Sequence, residues 1–152
     1  MIQKIVSGGQ TGVDRAALDV ALALGVPCGG WCPQGRVAED GPIDERYPLR
    51  ESPSADYAQR TEWNVRDSDG TLVLTRGTPN GGTAQTIDVA EQLEKPCLVL
   101  NLETQLSASA VHAWASAYHI TALNVAGPRE SKSPGISAQA AKFLRLVFSS
   151  AR

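Results

Sequence analysis

Apolar residues in this chain switch repeatedly between two periods. Short apolar runs, the mark of strands, alternate with segments whose apolar positions recur at i, i+3, i+4 and i+7, the mark of helices with one buried face. Residues 2–6 form the first run, and Val13, Ala16, Ala17, Val20, Ala21 and Leu24 the first helical stripe. Leu18 and Leu22 fall off that stripe, which implies burial on a second side or at a subunit contact. Gly25 and Pro27 end the helix, and 26–30 reads as a short strand. A long irregular stretch, 31–53, carries Pro33, Pro42, Pro48 and Pro53; its mixture of charges suits a lid, a pocket wall or a solvated loop. Ser54 or Asp56 caps a helix to about residue 68, with Tyr57, Thr61 and Val65 on one face. Strand 71–75 is apolar on both faces, as a central parallel strand would be. A helix with Ile87, Ala90 and Leu93 inward, a strand at 97–101, and a helix from Ser107 to about Tyr118 with Ala110, Trp114 and Ala117 along one side follow. Strand 121–125 and a helix marked by Ile136, Ala140, Phe143, Leu144 and Val147 complete five β-α units.

Strict alternation of this kind predicts an α/β fold: a Rossmann-like, doubly wound parallel sheet of about five strands with helices on both faces. One ligand-binding domain spanning 1–152 is expected. In such a sheet the loops after the strands line one edge, so 7–12, 76–83 and 126–135 should converge there.

Composition narrows the partners. With 42% apolar residues, 20% charged residues and a net charge of −2, the chain has the balance of an ordinary folded protein without the basic surface a general nucleic-acid binder needs. No apolar run nears the roughly 20 residues that cross a bilayer, and the first residues lack a secretory layout, so no membrane partner and a cytoplasmic location are expected. Cys28, Cys32 and Cys97 then read as free thiols.

The chemistry concentrates in the three loops. Ser7-Gly-Gly-Gln-Thr-Gly-Val-Asp-Arg15 leads from strand to helix, where free N–H groups and the helix dipole favour an anion. It lacks the Gly-Lys-Ser/Thr ending of a P-loop and the glycine spacing of dinucleotide folds, and a tight turn serving chain geometry alone remains an alternative. Gly8, Gly9, Gln10, Thr11 and Gly12 could cradle a phosphate, with Arg15 supplying a fork of donors. Asp14 is better read as a charge favouring the helix start. Thr78, Gly81, Gly82 and Thr83 form a second cradle; Arg129, Ser131 and Lys132 add two cations and a hydroxyl, unless they are an ordinary surface loop. His112 and His119, seven residues apart, have no clear partners, Cys28 and Cys32 have no second ligand pair at zinc spacing, and no Ser-His-Asp or Cys-His set or metal site emerges.

Five segments carry a resemblance over nearly the full length: SGGQTGVDRAAL from Ser7, GWCPQGRVAEDGPIDERYPLRE from Gly30, YAQRTEWNVRDSDGTLVL from Tyr57, GTPNGGTAQT from Gly77 and NVAGPRESKSPGI from Asn124. In this order they resemble the molybdenum cofactor carrier proteins of the Rossmann-like SLOG superfamily, relatives of the lysine-decarboxylase-like cytokinin-activating enzymes. The resemblance implies a commonly oligomeric protein that binds a phosphate-bearing pterin, the molybdenum cofactor (molybdopterin), or a nucleotide-like ligand. Gly8, Gly9, Thr11, Gly12, Gly81, Gly82, Thr83, Arg129, Ser131 and Lys132 match its loop motifs, and Trp31, Arg36 and Glu39 its long-loop motif. The hydrolase relatives carry Pro-Gly-Gly-x-Gly-Thr-x-x-Glu, whose glutamate takes part in breaking a nucleoside monophosphate. Here Asn80-Gly-Gly-Thr-Ala-Gln-Thr-Ile-Asp88 lacks the intermediate glycine and has Thr86 three residues after Thr83. The first expectation is therefore a carrier; the alternatives are a phosphoribohydrolase-like enzyme using Asp88, Glu39 or Asp40, and a nucleotide-sensing module that changes oligomeric state.

Overall fold

The computed structural model describes residues 1–150. Its elements in chain order are β1 (Lys4–Val6), α1 (Val13–Leu24), β2 (Cys28–Gly29), β3 (Trp31–Cys32), β4 (Val37–Ala38), β5 (Gly41–Pro42), β6 (Arg50–Glu51), α2 (Tyr57–Arg66), β7 (Gly70–Thr75), α3 (Gly81–Gln92), β8 (Cys97–Asn101), α4 (Ala108–Ala117), β9 (Ala122–Ala126) and α5 (Ile136–Ser150). Five of the strands make one parallel sheet in the order β2-β1-β9-β7-β8, with helices on both sides, an α/β Rossmann-like fold.

The last strand lies in the middle of the sheet. Counted from β9, the order becomes 3-2-1-4-5, the doubly wound order, and the chain's reversal of direction falls between β9 and β7. Side-chain alternation gives the two faces different characters. Ile5, Leu72, Leu74, Leu123 and Val125 join the core formed with α1, α4 and α5. Thr71, Thr75 and Asn124 are buried on the opposite face, where Asn124 Nδ2 donates to Thr71 Oγ1 at 3.2 Å across neighbouring strands. On that side α2 packs against α3.

Three sequence expectations need correction. The buried side of α4 is Val111 and Ala115, one residue on from the Ala110/Trp114/Ala117 stripe; Ala110 and Ala117 are exposed. Leu93 follows the last turn of α3 and is exposed, while Thr83, Thr86 and Ala90 face inward. The stretch 31–53 is a packed layer on α1, not a lid. Leu18, off the main α1 stripe, is fully buried against Cys32, Ala38, Ile43, Tyr47 and Leu49, while Leu22 remains exposed. Two short pairings, β3 with β6 and β4 with β5, shape the layer. Its centre is Arg36, in the left-handed region at φ 54°, whose guanidinium donates to the carbonyls of Ile43, Asp44, Tyr47 and Leu49.

Candidate ligand-binding site

The loops after β1, β7 and β9 meet at the switch point, as the alternation predicts. Loops 1 and 3 touch main chain to main chain: Gly12 has φ 81°, and a Cβ there would overlap the carbonyl oxygen of Pro128. Val13 N–H donates to that same oxygen. Only glycine combines this φ with this approach.

Between the loops and α2 lies a cavity of about 560 Å³, within the range of small-molecule sites. Its charged lining residues are Asp14, Arg60, Arg76, Arg129 and Lys132, four cations against one carboxylate. Thr75, Thr78, Thr83, Thr86, Gln85 and Asn124 add hydroxyls and amides.

One end of the cavity is the start of α3. Asn80 is extended but its side chain makes no cap, and among the described residues the N–H groups of Gly81 and Gly82 have no protein partner. These are the orphan donors that a helix start offers to an anion. Lys132 reaches over this turn: a Cβ on Gly81 would meet its Nζ at 2.5 Å, and the ammonium has no hydrogen bond or ion pair of its own among the described residues. Arg76 is anchored through Nε to Gln139 Oε1 at 2.8 Å and through Nη1 to the Pro134 carbonyl at 2.7 Å.

The other wall is α2, which presents Tyr57, Arg60, Thr61 and Asn64 to the cavity at i, i+3, i+4 and i+7. Sequence reasoning missed Arg60. The stripe Tyr57, Arg60, Thr61 and Asn64 is polar at helical spacing, a pattern that by itself reads as a solvent face. Arg60 Nη1 lies 3.0 Å from Asp14 Oδ2, and the two side chains are 11% and 8% exposed. Its Nε is buried without a hydrogen-bond partner. Gly8 permits this placement, because a Cβ there would overlap the guanidinium. Asp14 is thus a buried partner as well as a first-turn charge; burial pushes its carboxyl above the usual range, against the pull of Arg60 and of the Gln10 and Gly127 backbone.

Of the residues expected to bind, Gly8, Gln10, Thr78, Gly82, Thr83, Arg129 and Lys132 line this cavity. Gly9 and Gly81 do not; a Cβ on Gly9 would strike Leu49 of the packed layer. Thr11, Gly12, Arg15 and Ser131 line a separate cleft with Glu39 and Asp40, and those carboxylates take the Thr11 and Ser131 hydroxyls and the terminal nitrogens of Arg15. Asp40 receives both terminal nitrogens of Arg15, at 2.9 and 3.1 Å, while Arg15 Nε donates to the Gly9 carbonyl. Glu39 accepts from Thr11 Oγ1, from Ser131 N at 3.1 Å and from Ser131 Oγ at 2.5 Å. These bonds hold the Glu39 carboxyl below its ordinary range, Ser131 contributing most, and Arg15 does the same for Asp40.

The three carboxylates considered for catalysis stand apart from the cavity: Glu39 and Asp40 are spent as described, and Asp88 is exposed on α3. Nor does any residue of 31–53 line it. Trp31 instead donates from Nε1 to Asp67 at 2.8 Å and meets Trp63 edge-on. His112 Nε2 bonds the Val147 carbonyl at 2.9 Å; Cys28, Cys32 and Cys97 are free thiols outside the cavity. No helix of the described residues is long and apolar enough to cross a membrane.

Comparisons with known proteins agree with this architecture. The model of the circularly permutated YpsA SLOG family matches residues 5–148. A crystal structure from Syntrophus aciditrophicus SB, described as a "Putative molybdenum carrier protein", is 48% identical, with a TM-score of 0.93 over 96% of this chain and 94% of that one. No curated protein matches the chain.

Proposed function

Because the chain belongs to the circularly permutated YpsA SLOG family, we propose that it binds and carries a phosphate-bearing pterin, the molybdenum cofactor or a close relative, in the cavity at the β9/β7 switch point. The observation that carries this reading is the cavity wall itself: four cations against one carboxylate, with an uncapped helix start beneath the unpaired Lys132. A dianionic phosphate matches such a wall, since free N–H groups, the helix dipole and an ammonium act on the same point. The buried, unpartnered Nε of Arg60 suits an acceptor on the rest of the ligand. The 48% identical protein described as a molybdenum carrier supports the cargo.

In this reading Gly82, Thr83 and Lys132 hold the phosphate, Arg76 and Arg129 balance its charge, and Arg60 faces the ring system. The family's circular permutation accounts for the central place of β9: the unit that opens the sheet in the doubly wound order is here the last one in the chain. Titration of the purified chain with the molybdenum cofactor by calorimetry tests the reading. Saturable binding that inorganic phosphate displaces supports it; no binding, or binding indifferent to phosphate, refutes it.

A further inference from the structure

Glu39 lies outside the cavity, yet it is tied to a cavity wall. Arg129 lines the cavity, its Nε is buried without a hydrogen bond, and the nearest charge is Glu39 Oε1 at 3.6 Å. Among the described residues Arg129 has no other side-chain partner. The same carboxylate binds Thr11 in loop 1 and both the N–H and hydroxyl of Ser131 in loop 3, and Thr11 Oγ1 in turn accepts the Glu130 N–H at 3.1 Å. One side chain from the packed layer therefore joins two loops and stands within ion-pair distance of the cation that one of them presents. Asp40 repeats the device beside it on Arg15, which braces the Gly9 carbonyl.

We propose that Glu39 is a positioning residue for anion binding: it sets Arg129 against the cavity, so that the layer 31–53 contributes to affinity without touching the ligand. The inference rests on the cavity being the phosphate site. Two effects of opposite sign compete when Glu39 is removed. A carboxylate near a bound phosphate repels it, but through salt-screened surface this amounts to only about twofold in affinity. Loss of the ion-pair partner of Arg129 among the described residues, together with three bonds from Glu39 to the loops, acts the other way and is the larger effect, because a long cation left free must be ordered again at each binding event.

The test is a double-mutant cycle on the full chain, with inorganic phosphate as the calorimetric probe and circular dichroism to confirm folding. Glu39→Ala should weaken phosphate binding about tenfold, Arg129→Ala by a similar factor, and the double variant no more than Arg129→Ala alone. Glu39→Gln, which keeps the shape and one acceptor oxygen but loses the charge and the second acceptor, should fall between wild type and Glu39→Ala. If the two single losses multiply in the double variant, or if Glu39→Ala leaves phosphate affinity unchanged or raised while Arg129→Ala lowers it, the positioning role is overturned and the phosphate site stands. A wild-type chain that binds no phosphate, or an Arg129→Ala variant that binds it as the wild type does, removes the phosphate-site reading and this inference with it.

Discussion

Asp14 at the start of α1 and Arg60 on the inner face of α2 form a buried ion pair, Oδ2 to Nη1 at 3.0 Å, across the cavity floor. A buried pair costs most when only one partner is removed, since the other charge is then stranded. Arg60→Met and Asp14→Asn should each lower stability by about 3 kcal/mol, and the double variant by clearly less than their sum. Urea denaturation of the four chains measures this; additive losses would show that the pair does not act as a unit.

Glycine supports that pair from the other side. Gly8→Ala should push the Arg60 guanidinium off its seat, weakening binding of the phosphorylated pterin about tenfold at a stability cost of about 1–2 kcal/mol, because the obstructing atoms belong to a side chain. Gly12→Ala meets main chain at Pro128 and a φ of 81°, so it should cost more than about 2 kcal/mol. A thermal melt ranking Gly8→Ala as the more damaging change would contradict this.

The pH dependence of folding should have two parts of opposite sign. Glu39, Asp40, Asp67 and Asp69 have carboxyls lowered by hydrogen bonds and cations, Asp67 to about 2 through Arg66 and Trp31. Their contribution is complete above the unfolded range near 4 and lost as pH falls through the folded values. Asp14 is raised, so from about 3.8 up to its folded value the native chain holds a proton that the unfolded chain has released, and stability falls as pH rises through that window. Asp67→Asn should flatten the acid limb between about pH 4 and 2. Denaturant midpoints taken across pH check this, and an unchanged acid limb would count against it.

The packed layer 31–53 depends on Arg36, whose guanidinium serves four carbonyls. Arg36→Ala leaves those acceptors unpaired and should speed tryptic cleavage at Arg46 and Arg50 about tenfold or more. Cleavage at the wild-type rate would mean that Ile43, Tyr47 and Leu49 hold the layer unaided.

Much of this architecture was legible in the residues, because β-α alternation and punctuated loops are local signals. The convergence of 7–12, 76–83 and 126–135 followed from them. Strand order was not legible: β9 pairs with β1 and β7, segments far away in sequence, and no local pattern encodes that choice. The same limit explains the site. Thr11, Arg15 and Ser131 are the residue types a phosphate needs, but only the fold brings Glu39 and Asp40 against them. Arg60 was overlooked for a different reason: on α2 the stripe that faces inward is the polar one.

On the proposed function, the cavity recognises its ligand through a phosphate at the start of α3. That recognition is tested most directly by comparing, by calorimetry, the affinity for the phosphorylated pterin with that for the same pterin stripped of phosphate, in wild type and in Lys132→Ala. Wild type should prefer the phosphorylated form by about tenfold or more, and Lys132→Ala should lose most of that preference. Equal affinity for the two forms in wild type would contradict it.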